Sequence, residues 1–415
     1  MRKYIDGALK ILTKVFDEGS YSNRALSTDK TSDMTTKLVY GVLERDIEIQ
    51  WVLSALVKKQ PKGKIQTLLK IGAYALLHLD NVPDFAIVSE CVEVAKANGL
   101  KGQSGFVNAV LKKIARREFS MPTDKKQALS VKYSLPIWFI DRLYSEYDKE
   151  DVDNLLSNEV GTDECIRINS KCSVDDVKAR LDKDKIEYSV GECNTIFASA
   201  NSKTVKDMFN SGWITFQALS SMKAVFALGL NGKSEILDMC SAPGGKAVLI
   251  GELSPESTII ACDLHKHRVE LIDKYAKRMG VENINSMVND ATKFRKEWAS
   301  KFDYVLVDAP CSCFGTYKKH PDVFLNRSYS HSIELAKIQK TILENAINYT
   351  KKGGIIVYST CTLFDVENID VVRSVLDKAE LVNFECDGLP NDKSYIRLLP
   401  SEGSDGFFIA RLRKI

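Results

Sequence analysis

The chain has 415 residues, of which 44% are hydrophobic and 27% are charged, and its formal net charge is +3. This length predicts two or three domains, and the composition is typical of a soluble globular protein with a sizeable core. The apolar runs are short and interrupted by charges, which argues against a membrane span or a signal peptide. We therefore expect a cytoplasmic protein whose ten cysteines are reduced thiols rather than a disulfide framework.

Positive charge is concentrated in the first third of the chain. Residues 1–150 carry 24 Lys and Arg against 18 Asp and Glu, whereas the remainder carries 34 against 37. This third contains two basic clusters: Lys58, Lys59, Lys62 and Lys64, and then Lys112, Lys113, Arg116 and Arg117. Such clusters indicate a polyanionic partner, although either one alone is equally consistent with a solvated helix face.

Apolar residues recur every three or four positions through the first 120 residues, which predicts a bundle of amphipathic helices. Pro83 cannot continue a helix and Asp84 can cap the next one, so this pair divides two of them. We find no acid–base constellation here, and the lone His78 is typical of a core or partly exposed histidine rather than a ligand. We interpret the region as a binding module. Its predicted helices cover residues 4–18, 31–55, 68–79, 86–97 and 106–119.

The predicted secondary structure changes twice after this bundle. Residues 121–123 mark a boundary, followed by a connecting helical segment over 129–147 and a short α+β stretch over 164–221. From Glu235 onward strands and helices alternate, which is the signature of a parallel sheet. Its predicted strands cover residues 235–239, 258–263, 284–288, 304–308, 354–358 and 407–412. We therefore predict three domains: 1–125, all helical; 126–225, connecting helices and a small α+β subdomain; and 226–415, α/β.

Two strands of the predicted parallel sheet lead into a cysteine. Cys311 follows the strand at 304–308, and Cys361 follows the strand at 354–358. Ligands of open α/β sheets bind at the carboxyl ends of the strands, so both thiols are candidates for one reaction centre. The alternative is a pair of ordinary buried cysteines, because free cysteine is among the most buried residue types.

The loop after the first predicted strand of the parallel sheet, residues 235–239, is rich in small residues, with the sequence SAPGGK over residues 241–246. Its glycines allow a ligand to approach the backbone closely, and the following helix start offers N–H donors. A Walker phosphate loop is excluded because Cys240 stands where glycine is required and Ala247 where Ser or Thr is required. A dinucleotide fingerprint is excluded because no Gly-x-Gly-x-x-Gly occurs.

An acid stands at or just after each of four successive strands: Asp238, Asp263, Asp290 and Asp308. These carboxylates would repel a phosphate-rich cofactor, and they suit a cationic nucleoside ligand such as S-adenosylmethionine with its sulfonium. In such a site Asp263 is placed to accept the ribose hydroxyls and Asp290 to hold the adenine amino group.

Several stretches resemble the RNA cytosine-5 methyltransferases: residues 238–246 (DMCSAPGGK), 308–312 (DAPCS), 320–322 (HPD), 358–361 (YSTC) and 399–408 (LPSEGSDGFF). The helical front resembles the NusB RNA-binding fold, and the combination resembles the bacterial Sun/RsmB-type 16S ribosomal RNA methyltransferases. The resemblance implies a NusB-like bundle, a small α+β subdomain and a Rossmann-like methyltransferase domain with a mostly parallel, seven-stranded sheet.

The resemblance also implies roles for individual residues. Cys361 attacks C6 of the cytosine, which raises the electron density at C5, and Cys311 helps to release the enzyme after methyl transfer. Asp308 hydrogen-bonds the cytosine edge, and Lys246 lies near Asp308 and the base. No metal is expected. The residues implied in binding S-adenosylmethionine are Cys240, Ser241, Ala242, Pro243, Gly244, Gly245, Lys246, Asp263, Asp290 and Asp308.

The sequence departs from the family pattern in two places. Cys313 and Phe314 stand where family members usually carry Gly or Ala and then Thr. Before the first strand the family often has Gln-Asp, where this chain has Gln217 and Ala218. We therefore assign no catalytic role to Cys313, and any role of the missing acid is absent or filled elsewhere.

We expect methyl transfer from S-adenosylmethionine to C5 of a cytosine in 16S ribosomal RNA through a covalent Cys–C6 intermediate. The expected partner is 16S ribosomal RNA or a small-subunit assembly intermediate, bound by a monomer without a membrane. Two alternatives stay open: the same chemistry on transfer RNA, and a non-catalytic RNA-binding protein that keeps a relict cofactor fold.

Overall fold

The computed structural model describes residues 1–20, 22–27, 32–158, 164–385, 393–401 and 403–415. Its α-helices are α1 (Arg2–Glu18), α2 (Ser22–Ser27), α3 (Asp33–Glu44), α4 (Asp46–Leu56), α5 (Lys64–His78), α6 (Asp84–Ala97), α7 (Ser104–Ala115), α8 (Lys125–Tyr133), α9 (Ile137–Glu146), α10 (Lys149–Ser157), α11 (Val174–Lys183), α12 (Lys203–Asn210), α13 (Leu219–Phe226), α14 (Gly245–Leu253), α15 (Lys266–Met279), α16 (Val323–Asn326), α17 (Tyr329–Tyr349) and α18 (Ile369–Arg373). None of the helices in these ranges is long and apolar enough to cross a membrane.

The strands follow the same chain order. They are β1 (Glu164–Ile168), β2 (Tyr188–Val190), β3 (Thr195–Ala198), β4 (Ile214–Phe216), β5 (Glu235–Asp238), β6 (Thr258–Asp263), β7 (Ile284–Val288), β8 (Phe302–Asp308), β9 (Thr350–Thr360), β10 (Ala379–Leu381), β11 (Tyr395–Leu398) and β12 (Phe407–Lys414). The chain divides into two compact units. The helical unit comprises Met1–Leu156 and Tyr317–Ser328, and the sheet unit comprises Ser157–Thr316 and Tyr329–Ile415. Domain boundaries at residues 125 and 225 stay a prediction.

The helical unit is built on the predicted amphipathic faces. In α1, for example, Ile5, Leu9 and Leu12 are buried on one face of the helix. The segment predicted as one helix over 31–55 is two helices, α3 and α4, divided at Arg45; residue 31 itself lies outside the described residues. The Ser134 hydroxyl accepts hydrogen bonds from the backbone N–H groups of Ile47 (3.0 Å) and Glu48 (3.4 Å). This distant side chain caps α4 and thereby explains the division.

A segment from the second half of the chain, residues 317–328, belongs to the helical unit, and we call it the strap. Buried Asp322 accepts the backbone N–H of Ser22, the first residue of α2, at 3.0 Å. Lys318 Nζ donates to the carbonyl of Leu155 at 2.9 Å. Phe324 packs edge-on against Phe139 with ring centroids 4.9 Å apart. The strap is therefore held by a buried carboxylate, an ammonium and an aromatic contact.

The sheet unit begins with a four-stranded antiparallel sheet of order β2-β3-β1-β4, which covers the predicted α+β stretch. Arg167 of β1 is buried, forms an ion pair with Glu252 of α14, and donates from Nε to Gln217 Oε1 at 2.8 Å. Because α14 also follows the first strand of the main sheet, this buried ion pair joins the small sheet to the main one.

The main sheet has the order β10-β12-β9-β8-β5-β6-β7, and β11 pairs with β12. Strands β5 to β9 pair in parallel, while β12 runs antiparallel to β9, β10 and β11. The expected Rossmann-like, mostly parallel fold is confirmed. Strand β11 adds an eighth strand to the seven expected, within the part of the chain that the structure describes.

The register of the parallel strands brings the predicted acids and cysteines to one edge. Asp238 at the end of β5 pairs with Leu306 of β8, and Asp308 at the end of β8 pairs with Ser359 of β9. The carboxyl ends of parallel strands meet at the same edge of a sheet, which is where α/β folds bind their ligands.

Candidate active site

Two thiols lie together at the ends of the adjacent strands β8 and β9. Cys311 Sγ and Cys361 Sγ are 3.3 Å apart. This separation is longer than a disulfide bond of about 2.05 Å, so the contact joins two thiols. Cys311 is buried and Cys361 is half-buried. The structure thus brings together the two cysteines that the sequence analysis singled out.

The protein environment favours the protonated form of both thiols. Hydrogen bonding with Cys313 and Cys361, together with burial, raises the pKa of Cys311 well above its usual value. The hydrogen bond with Cys311 lowers the pKa of Cys361, but Cys313, burial and the charge of Asp308 raise that pKa by more. A nearby cation is therefore needed to favour the thiolate, which is the nucleophilic form of cysteine.

Asp308 and Lys246 form an ion pair beside the thiols. Lys246 Nζ lies 2.8 Å from Asp308 Oδ2, and the Ser359 hydroxyl donates to Asp308 Oδ1 at 2.9 Å. Burial lowers the pKa of Lys246, but the charge of Asp308 and the hydrogen bond to it raise that pKa by more, so the net shift is upward. Lys246 is therefore a fixed cation close to Asp308. Ser359 was not among the site residues expected from the sequence, because its position opposite Asp308 is set by the pairing of β8 with β9.

A buried polar network fixes the loop that carries Cys311. The carboxylate of Glu367 accepts the backbone N–H of Ser312 at 2.9 Å and the Gln339 side-chain amide at 2.9 Å. The same amide lies 2.8 Å from the carbonyl of Pro310, and the hydroxyls of Ser312 and Thr362 are 2.7 Å apart. Sequence reasoning missed this network because a lone Glu or Gln beside an apolar run gives no signal of a distant loop.

The cofactor side of the site begins at β5. Asp238 is fully buried, and neither of its carboxylate oxygens makes a well-aligned hydrogen bond with the described residues, although Ser241 and the Cys240 backbone interact with the carboxylate. Asn289 Nδ2, just after β7, is buried without a hydrogen-bond partner among the same residues. Such buried polar atoms require partners, so they fit a polar nucleoside ligand at these strand ends.

The loop between β5 and α14 has the backbone that the glycine pattern predicts. Gly244 has φ of +109°, and a Cβ there would lie 3.1 Å from Ile272 Cα, so the position favours glycine. Arg268 donates to the carbonyl of Ala242 at 3.0 Å, and Pro243 follows with a cis peptide bond. Gly245 begins α14. Cys240 lies in the same loop, and burial raises its pKa.

The two remaining acids differ in how their oxygens are engaged. Asp263 is buried; its Oδ1 accepts the backbone N–H of His265 at 3.1 Å and its Oδ2 lies 3.4 Å from Arg268. Asp290 Oδ1 accepts from the backbone and hydroxyl of Thr292 at 3.1 and 2.6 Å, and the hydroxyl bond lowers the pKa of Asp290. Contacts of Asp263 with ribose and of Asp290 with adenine stay predictions.

We expect the stability of the cofactor-free protein to depend on pH through Asp238. Burial raises the pKa of Asp238 from its usual value of 3.8 to about 7, although the hydrogen bond with Ser241 opposes part of the shift. Between these values the folded state keeps a proton that the unfolded state has lost, so stability falls as pH rises and the loss is complete above about 7. Asp238→Asn removes this contribution. The drop in melting temperature from about pH 5 to pH 8 should therefore be smaller in Asp238→Asn than in the wild type.

The matched control for this measurement is Asp290→Asn. The pKa of Asp290 is lowered, so its titration lies below the measured window and the variant should show the wild-type drop. Equal drops in Asp238→Asn and in the wild type would show that the Asp238 carboxyl does not titrate in this range.

Comparison with known proteins gives two family matches. Residues 225–413 match the model described as "16S rRNA methyltransferase RsmB/F", and residues 6–116 match the NusB family. A Bacillus subtilis protein described as "Probable ribosomal RNA small subunit methyltransferase B" is 32% identical over 440 residues, covering 99% of this chain and 98% of its own.

Solved structures show the same fold. The crystal structure of PH0851 superposes with a TM-score of 0.85 at 23% identity, covering 99% of this chain and 98% of that one. The structure of NSun6 from Pyrococcus horikoshii with SFG has a TM-score of 0.56 at 21% identity, and covers 71% of this chain and 98% of its own.

Proposed function

Because the chain belongs to the Sun/RsmB family of ribosomal RNA small subunit methyltransferases, we propose that it methylates C5 of a cytosine in 16S ribosomal RNA through a covalent bond between Cys361 and C6. S-adenosylmethionine, when bound, supplies the electrophilic methyl group and a positive charge. The observation that carries the proposal is the 3.3 Å separation of two thiols beside the Lys246–Asp308 ion pair.

The cytosine ring needs activation because C5 is a poor nucleophile. Addition of the Cys361 thiolate to C6 turns the C5–C6 unit into an electron-rich enamine, which divides one difficult step into two easier ones. Asp308 is oriented by Ser359 and Lys246, and in the proposal it hydrogen-bonds the polar edge of the base. The Lys246 cation interacts with the charge of Cys361. In the proposal this cation and the positive charge of the methyl donor together oppose the burial and the Asp308 charge that favour the Cys361 thiol.

Cys311 is the base that completes the reaction. In this role Cys311 must first lose the proton that its hydrogen bonds and burial favour. After methyl transfer, the resulting thiolate takes the proton from C5, the electrons of that C–H bond form the C5=C6 double bond, and the Cys361–C6 bond breaks. Cys361 leaves as a thiolate and the methylated base is released. The hydrogen bonds of Ser312 and Pro310 to Glu367 and Gln339 support this role because they fix the Cys311 backbone.

The helical unit is proposed to bind the ribosomal RNA. The basic side chains of both clusters are exposed, as phosphate contacts require: Lys58, Lys59, Lys62, Lys64, Lys112, Lys113, Arg116 and Arg117. The target base must also be unpaired or flipped from its stack, at a cost of a few kcal/mol if it was paired.

Methylation assays on three substrates test the proposal. Labelled S-adenosylmethionine is supplied with free 16S RNA, with assembled small subunits and with transfer RNA, and the modified base is identified after nuclease digestion. We expect 5-methylcytosine in 16S RNA or in the small subunit, and none in transfer RNA. Turnover on transfer RNA alone would favour the same chemistry on that substrate. Absence of saturable S-adenosylmethionine binding would instead favour a non-catalytic RNA-binding protein.

A further inference from the structure

The candidate active site contains one thiol more than the proposed reaction uses. Cys313 lies two residues after Cys311, and the sulfur atoms of Cys311, Cys313 and Cys361 all lie within 4.8 Å of one another. Cys311 is buried, while Cys313 and Cys361 are half-buried. The three sulfurs therefore form one compact cluster in which two of the three residues are not fully buried.

The spacing of the three sulfurs matches a metal site. In tetrahedral coordination with metal–sulfur bonds of about 2.3 Å, two thiolates on one Zn²⁺ lie roughly 3.8 Å apart. The Cys311–Cys361 separation of 3.3 Å lies below this value and the 4.8 Å limit lies above it. The observed separations are therefore close to those of ligands around one ion, and on binding the Cys313 thiol would give up its 3.4 Å hydrogen bond to the Cys311 carbonyl.

The backbone of the cluster is fixed before any ion arrives. Glu367 and Gln339 hold Ser312 and Pro310, which flank Cys311, and Cys361 continues directly from β9. A site whose ligands are already positioned loses less conformational entropy on binding.

Cys313 itself occupies an unusual backbone position. Its φ is +61°, in the left-handed region that favours glycine and that other side chains rarely adopt. The proposed methyl transfer gives the Cys313 sulfur no task, and metal ligation gives it one.

We propose that Cys311, Cys313 and Cys361 bind one soft divalent ion, such as Zn²⁺ or Cd²⁺, and that the metal-bound enzyme is inactive. Three thiols lose three protons and form three metal–sulfur bonds, which leaves the complex with a charge of −1 beside the Lys246 cation. The nucleophile and the base are then both coordinated, so methylation stops until the ion is removed. The sequence led us to expect no metal, whereas this site is completed only in the folded chain. Cys311 and Cys313 follow β8, and the third ligand, Cys361, follows β9.

Metal titration of the reduced, full-length protein tests the site without RNA. Co²⁺ or Cd²⁺ is added and the thiolate-to-metal charge-transfer absorption is recorded. We expect one equivalent to bind, and Cys313→Gly to weaken binding by at least about 100-fold. Glycine suits a positive φ, so this variant is expected to fold. The matched control is Cys193→Gly, which also removes a half-buried thiol at positive φ (+55°) but outside the cluster. It should bind like the wild type.

Two further measurements keep the result decisive. Alkylation with mass spectrometry should show that Zn²⁺ protects Cys311, Cys313 and Cys361 but not Cys193. The ratio of methylation rates with and without Zn²⁺ should fall sharply in the wild type and stay near one in Cys313→Gly. Equal affinity in Cys313→Gly and the wild type, or the absence of a charge-transfer band in the wild type, would overturn the metal site. Methylation in metal-free buffer tests the proposed function separately.

Discussion

Replacing Cys361 by alanine is expected to abolish methyl transfer to RNA, with a loss of about 10⁴-fold or more, as for other covalent nucleophiles. The substitution removes the sulfur that adds to C6, and without that addition C5 stays unreactive. The variant should also form no covalent RNA complex on a denaturing gel. Methyl incorporation from labelled S-adenosylmethionine measures the rate.

This loss must be separated from a folding defect. Cys361 is half-buried, and alanine removes a single heavy atom there, so S-adenosylmethionine should still bind with wild-type affinity. The matched control is Cys172→Ala, which removes a half-buried thiol from the region of the small sheet and should keep full activity. Methylation by Cys361→Ala within about tenfold of the wild type would exclude Cys361 as the nucleophile.

Replacing Cys311 by alanine is expected to trap the enzyme on its RNA. Cys361 can still add to C6 and C5 can still take the methyl group. The second sulfur, which lies 3.3 Å from Cys361 Sγ in the wild type, is then missing and cannot take the C5 proton. The Cys361–C6 bond then persists, so a complex of protein and RNA should survive denaturation. Its yield should approach one RNA per enzyme, while turnover falls to near zero.

The double variant distinguishes this trap from other adducts. Cys361→Ala combined with Cys311→Ala should lose the complex, because the trapped bond is made by Cys361. A complex that persists in the double variant would place the bond on another residue. A covalent complex formed by the Cys361→Ala single variant would show that Cys311 is the nucleophile and Cys361 the base.

The main sheet was predictable because its strands carry a strong local pattern. Each buried parallel strand reads as a short apolar run, and the acids and cysteines directly follow the strands, so topology alone places them at one edge. The prediction that Cys311 and Cys361 lie close together holds as long as β8 and β9 are neighbours in the sheet, and they are.

Features that depend on distant residues could not be predicted in the same way. The break at Arg45 comes from a hydroxyl almost ninety residues later, at Ser134. The support of the Cys311 loop comes from Gln339 in α17 and from Glu367 beyond β9. In each case the residue is unremarkable in its own stretch of sequence, and only the folded chain brings it to its partner.

The strap sets an order of events during protein synthesis. About 160 residues, 157–316, separate the first part of the helical unit from the segment that completes it. At roughly 5–20 residues per second, a ribosome needs about 8 to 30 s to make them. Throughout that interval the backbone N–H of Ser22, at the start of α2, has no Asp322 carboxylate to bond. The ring of Phe139 likewise has no Phe324 ring to pack against. A fragment that stops before residue 317 is therefore an incomplete helical unit, and a fragment that starts at residue 157 carries the aromatic strap with no core to bury it.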